Sequence, residues 1–283
     1  MEPCAREPTG AHHPRTMTHI IPPISRLSAD VLEDILGYLD SVSLSFAVRA
    51  HRLFWTTFRI YQQRILRGLL LQLIEPELLP IALVTQEATS IDVQDWDQIR
   101  YLLARLNNSR VTPNLSQYIS PLTLRAVLEI EITHRTIENL ASSFAGLAMM
   151  RSAANLKGTR PGPPTPIEEL RIHRAFYRFQ LYCNIFGRRA LEHAGQTVPE
   201  EESCGRDRED LECELECFFW PWPPWVNEQL ACVFEYLEDK LAVYFDDVAA
   251  HDVEWGWKKV DWVDPTVAVS HRRSFVSGLV SQI

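Results

Sequence analysis

Glycine accounts for only 11 of the 283 residues. That is too few for glycine-rich phosphate loops, or for a fold built from many tight β-turns. No apolar run approaches the ~20 residues needed to span a bilayer; the longest candidate, Leu69 to Ile74, is short and follows Arg67. The opening stretch MEPCAREPTGAHHPRTM has no apolar core and is not a secretory signal. Residues 1–22 read instead as a disordered tail. A basic excess is missing too. Net charge is −9, and residues 200–216 carry nine acids against two arginines, which leaves the rest of the chain near neutral and without the electrostatic footprint of a nucleic-acid binder. The motifs G-x-S-x-G, H-E-x-x-H, G-x-x-x-x-G-K-[ST] and G-x-G-x-x-G do not occur. No catalytic residue and no cofactor site is therefore assigned, and the chain is expected not to be an enzyme.

What is present is helical periodicity. Apolar residues make up 46% of the chain and mean hydropathy is −0.13, values of a globular protein. Clean period-two alternation is almost absent, so the fold expected is all-α. Phe58, Ile60, Tyr61, Ile65, Leu66, Leu69, Leu70 and Leu73 recur at helical spacing with Arg59, Arg64 and Arg67 outside, and Pro76 marks the end. Residues 77–87 are short, apolar and interrupted by Pro80. Residues 95–106 form another helix with Trp96, Ile99, Leu102, Leu103 and Leu106 inward. Ser120-Pro121 is an N-cap signal, opening one long helix or two joined near Thr133 that run to about Met150. GTRPGPPTP at 158–166 reads as a linker. Thr165 and Glu168 then form a capping box at the head of a helix with Ile172, Phe176, Phe179, Cys183 and Phe186 on one side, and Arg171, Arg174, Arg178 and Arg188 elsewhere. An acidic loop covers 193–212, FFWPWPPW at 218–225 is an aromatic bend, and 226 to about 250 is helical with Leu230, Val233, Phe234, Leu237, Leu241 and Phe245 in register. The apolar patch 275–280 near Ile283 has no polar closure, which points to a further C-terminal piece or a frayed helix end.

The stretch 27–55, LSADVLEDILGYLDSVSLSFAVRAHRLFW, is the most informative. Ser28 is an N-cap; Val31, Leu32, Ile35, Leu36 and Leu39 follow at helical spacing, and Leu44, Phe46, Ala47 and Val48 resume the pattern after Asp40-Ser41. A core of about forty residues is too small to be stable alone, so its leftover apolar surface must meet the rest of the chain or another protein. The pattern resembles the F-box: an initial Leu, an Ile-Leu-x-x-Leu core, a later Leu and a degenerate apolar-basic end. Ser28 stands where that family prefers Pro, and the usual Cys after Val48 is missing. The resemblance implies a three-helix segment at 23–62 that docks a Skp-type linker of a cullin–RING ubiquitin ligase (an SCF-type complex) through Ile24, Leu27, Val31, Ile35, Leu36, Leu39, Leu44 and Val48. Further residues, 75–83, 174–186, 224–233 and 246–256, are similar to filamentous-fungal proteins with a degenerate N-terminal F-box, a group without an established activity. The organisation expected is thus a tail, the F-box-like segment, an irregular multi-helix array at 63–157, the linker, and a helical region at 167–283 that holds a protein substrate. The alternative is an all-helical interaction or structural protein whose F-box-like stretch is its own core. No membrane partner is expected.

Six cysteines and no export signal imply free thiols in a reducing compartment, cytoplasm or nucleus. Cys204, Cys213, Cys217 and Cys232 lack the paired C-x2-C of structural zinc sites, so they read as thiols and no metal is assigned. His251, with Asp252 and Glu254 nearby, is an incomplete ligand set. The arginines of 168–189 are expected to pair with acids of 235–254.

Overall fold

The computed structural model describes residues 23–108, 122–155, 162–194 and 211–256. Among these residues every element is helical and none is a strand, so the protein is all-α. The chain divides into two compact units between Ile65 and Leu66.

The first unit opens with a 3-10 turn, Pro23–Arg26, followed by α1, Ala29–Gly37. Ser28 caps α1, its hydroxyl accepting from the Val31 N–H at 3.4 Å. Asp40 performs the same task for α2, Ser41–Ala50: its carboxylate accepts from the Ser43 N–H at 2.9 Å and the Ser43 hydroxyl at 2.7 Å. These bonds satisfy amide groups that an isolated helix start leaves without partners, and they hold the Asp40 carboxyl below its usual pKa. The helix α3, Arg52–Leu73, departs from helical dihedrals at Tyr61 (φ −107°, ψ 16°). Leu32 and Leu36 of α1, Leu44 and Val48 of α2, and Phe58 and Ile65 of α3 form the core of this unit. Glu33 is buried beside them and pairs with Arg64 at 2.9 Å.

In the second unit, α4 (Leu79–Glu87) is buried from Leu79 to Thr85 except at Pro80. Pro80 does not interrupt this helix, as the sequence suggested; it stands in the first turn, where a missing N–H removes no intrahelical bond. The helix α5 is Trp96–Asn108 and α6 is the single helix Leu124–Asn155. The Ser120-Pro121 signal lies outside the described residues, as do 158–161 of the proline-rich stretch and 195–210 of the acidic one. The helix α7, Pro166–Tyr182, begins with the expected capping box: the Thr165 hydroxyl accepts from the Glu168 N–H, and the Glu168 carboxylate accepts from the Thr165 N–H at 2.7 Å. It continues through a π turn, Cys183–Gly187, into α8, Arg188–Ala194. A second π turn, Leu215–Phe219, precedes α9, Pro224–Gly256.

The helix α7 is the hub. It packs against α4, α6 and α9, burying Ala175, Phe176, Tyr177 and Leu181. Aromatic rings fill the spaces between layers edge to face, as their quadrupoles favour: Phe144 on Tyr236 at 5.4 Å, Phe179 on Phe234 at 4.8 Å, Phe186 on Phe218 at 5.5 Å. The packing does not follow the apolar register along all of α9. Leu230, Val233 and Tyr236 are buried, whereas Leu241 and Phe245, in the same register, are exposed. A helix of 33 residues is ~50 Å long and outruns the ~26 Å of α7 beside it.

Candidate interaction surface

The eight positions that carry the F-box resemblance divide into two sets. Leu36, Leu44 and Val48 are buried, Leu36 with 0% of its surface accessible. Leu27, Val31 and Ile35 are exposed, and Ile24 and Leu39 are half-buried. The division follows from helix geometry. Leu32 and Leu36 lie four residues apart and face the core; Val31, Ile35 and the C-cap Tyr38 form a second stripe about 100° round the axis, at spacings of three and four, and Leu27 stands just before the Ser28 cap. Tyr38, 85% exposed, belongs to that stripe, and α2 adds exposed Val42 and Phe46, the latter 68% accessible. Sequence reasoning did not assign Tyr38 or Val42 to the surface and did not separate Phe46 from the core. The signal was present in α1, whose apolar residues are too many for one face.

The helical body contains buried polar groups whose roles are structural. Arg178, read as lying off the apolar side of its helix, is 1% exposed. Its guanidinium donates to the Val226 carbonyl at 2.8 Å and to Asn227 Oδ1 at 3.2 Å, and stacks on Trp222 with its carbon 4.0 Å from the ring centroid. Asn227 in turn donates to the Phe219 carbonyl at 3.1 Å. Arg178 thus ties α7 to the aromatic bend and the start of α9; the planar fork and weak hydration of guanidinium suit it to that position. Trp222 is buried by this contact, whereas Trp220 and Trp225 are exposed. Arg188 donates to the carbonyls of Ala88 and Thr89, both at 3.0 Å, satisfying acceptors at the end of α4. Arg189 donates to the Val93 carbonyl at 2.7 Å and lies over Trp96.

One titratable cluster is buried between α6 and α7. His134, 3% exposed, shares a 2.8 Å hydrogen bond through Nδ1 with the Tyr177 hydroxyl, and its Nε2 lies 3.5 Å from Glu138. Burial lowers the pKa of His134 despite Glu138 and Glu75 nearby, and burial raises that of Tyr177. Tyr177 is itself 1% exposed, so this hydrogen bond is sealed from substrate and works as a link between helices.

Cys183, Cys213, Cys217 and Cys232 are free thiols. Burial raises the pKa of Cys183, Cys217 and Cys232, and Arg100 approaches Cys213 Sγ at 3.5 Å. Among the described residues no group of three His, Cys, Asp or Glu side chains is placed to hold a metal ion; Cys204 and the side chains of His251, Asp252 and Glu254 lie outside them. Among the same residues no helix is long and apolar enough to cross a membrane. No family model, curated protein or solved structure matches the chain.

Proposed function

We propose that this protein is a non-enzymatic adaptor: its first unit docks a Skp-type linker of a cullin–RING ubiquitin ligase, and its helical body holds a protein substrate for ubiquitination in the cytoplasm or nucleus. The observation that carries this reading is the set of exposed apolar side chains on and beside α1, Leu27, Val31, Ile35 and Tyr38, in the stretch whose residues resemble the F-box. Covering one such side chain fully contributes about 1.5–3 kcal/mol. These four, with Val42 and Phe46, are 36–85% exposed, so covering them contributes about as much as three full side chains, roughly 5–10 kcal/mol, which is comparable with an association cost of about 4–15 kcal/mol. Leu36, Leu44 and Val48 support the reading from beneath, by fixing the helices that present the stripe.

Co-expression with a fungal Skp-type linker tests it. Wild type should be captured; Ile35→Asp should lose capture while keeping a cooperative unfolding transition, because a charge replaces an apolar contact at a position 36% exposed. Capture of a folded Ile35→Asp variant at wild-type level, or no capture of folded wild type, sinks the assignment. The stretch would then be the first core layer of an all-helical interaction protein.

A further inference from the structure

A groove of about 660 Å³ lies between α6 and the start of α7, within the size range of ligand sites. Small residues hollow it: Ala141, Ala145 and Gly146 of α6 form its floor. The two helices run antiparallel, His134 facing His173 and Tyr177, so the groove has two unlike ends. One holds Glu138, Ser142, Glu169 and His173; the other holds Met149, Met150, Pro163 and Pro164. Thioethers and proline rings suit variable aliphatic chains.

Among the described residues neither Glu138 nor Glu169 pairs with a Lys or Arg, and His134, whose Nε2 lies 3.5 Å from Glu138, has its pKa lowered by burial. Glu169 stands in the first turn of α7, where the helix dipole favours an acid. Glu138 is in mid-helix, away from that dipole. His173 adds a second polar group at this end, its Nδ1 buried without a hydrogen-bond partner.

We propose that this groove binds a segment of a recruited protein in which a Lys or Arg side chain is flanked by apolar residues, the cation between Glu138 and Glu169 and an apolar side chain against Met149 and Met150. This names the class of substrate segment and rests on the adaptor reading above for its biological purpose. The binding event itself does not involve the first unit, so the two are separable by experiment.

Oriented hexapeptide libraries, fixed at one central position as Lys, Arg, Glu or norleucine and degenerate elsewhere, are passed over the immobilised full-length protein. The Lys and Arg libraries should be retained at least tenfold over the Glu and norleucine libraries, with apolar residues enriched beside the fixed position. Glu138→Gln with Glu169→Gln should remove that preference. Gly146→Leu should abolish retention without unfolding, since a Cβ at Gly146 meets no atom within 4 Å and a leucine would enter the groove; leucine is also the better helix former. Equal retention of the four libraries, retention that survives Gly146→Leu, or binding of octylammonium with no peptide retained would each overturn the proposal. Failure of linker capture with peptide retention intact would refute only the adaptor assignment.

Discussion

The two units use amphipathic helices in opposite ways. In the second, α7 is enclosed by α4, α6 and α9, so even an arginine is buried and given backbone partners. In the first, short helices close a small core through one stripe each, and α1 keeps another apolar stripe in solvent. Enclosure on several sides makes an apolar face a matter of stability. Enclosure on one side leaves the other available for a partner.

The sharpest way to break this comparison uses adjacent residues of α1. Leu36→Ala should destabilise the first unit by about 2–5 kcal/mol, whereas Ile35→Ala, at a position 36% exposed, should cost about 1 kcal/mol. Urea unfolding followed by circular dichroism measures both, and equal losses would mean that the two stripes are not distinct.

In the second unit, Arg178→Met should cost about 1.5–3 kcal/mol, because the Val226 carbonyl and Asn227 lose a charged donor while the space is refilled. Arg178→Lys should not restore it, since one ammonium cannot both stack on Trp222 and reach two acceptors. Full stability of the lysine variant in thermal melts would show that charge alone matters there.

A smaller effect should appear with pH. Because the pKa of folded His134 is lowered, the unfolded chain takes up the proton first. Stability is therefore complete above the ordinary histidine pKa of about 6.5 and declines as pH falls below it, by at most ~1.4 kcal/mol per pH unit for one group. Glu138, Glu75 and His173 act on the same ring. His134→Gln, which keeps an acceptor for Tyr177, should flatten the slope in urea midpoints between pH 5 and 7.5. An unchanged slope would place the titration elsewhere. Tyr177, with its pKa raised, acts only at high pH, where stability falls above the ordinary tyrosine value of about 10.

Much of the local structure was legible in the residues themselves. Ser28, and Thr165 with Glu168, mark helix starts because a side-chain oxygen three residues before a free amide is a local device. The spacing of Ile99, Leu102, Leu103 and Leu106 turns those residues inward for the same kind of reason. Pro80 was misread because proline at the second helical position and proline inside a helix look alike until the first turn is located. Arg178 was misplaced because its polarity argues for the surface, and only the carbonyl of Val226 and the ring of Trp222, 48 and 44 positions away, reverse that argument.

The sequence by itself determined that this protein is all-α, where several of its helices begin, and which residues are apolar enough to seek burial, since propensity, capping and periodicity act within a few residues along the chain. Which apolar stripe of α1 is core and which is surface, that α9 leaves Leu241 and Phe245 in water, that Arg178 is interior, and that small residues of α6 open a groove toward Glu138 and Glu169 were decided by tertiary packing. Burial depends on what distant segments place alongside a helix, and an amphipathic pattern specifies only that something must be there.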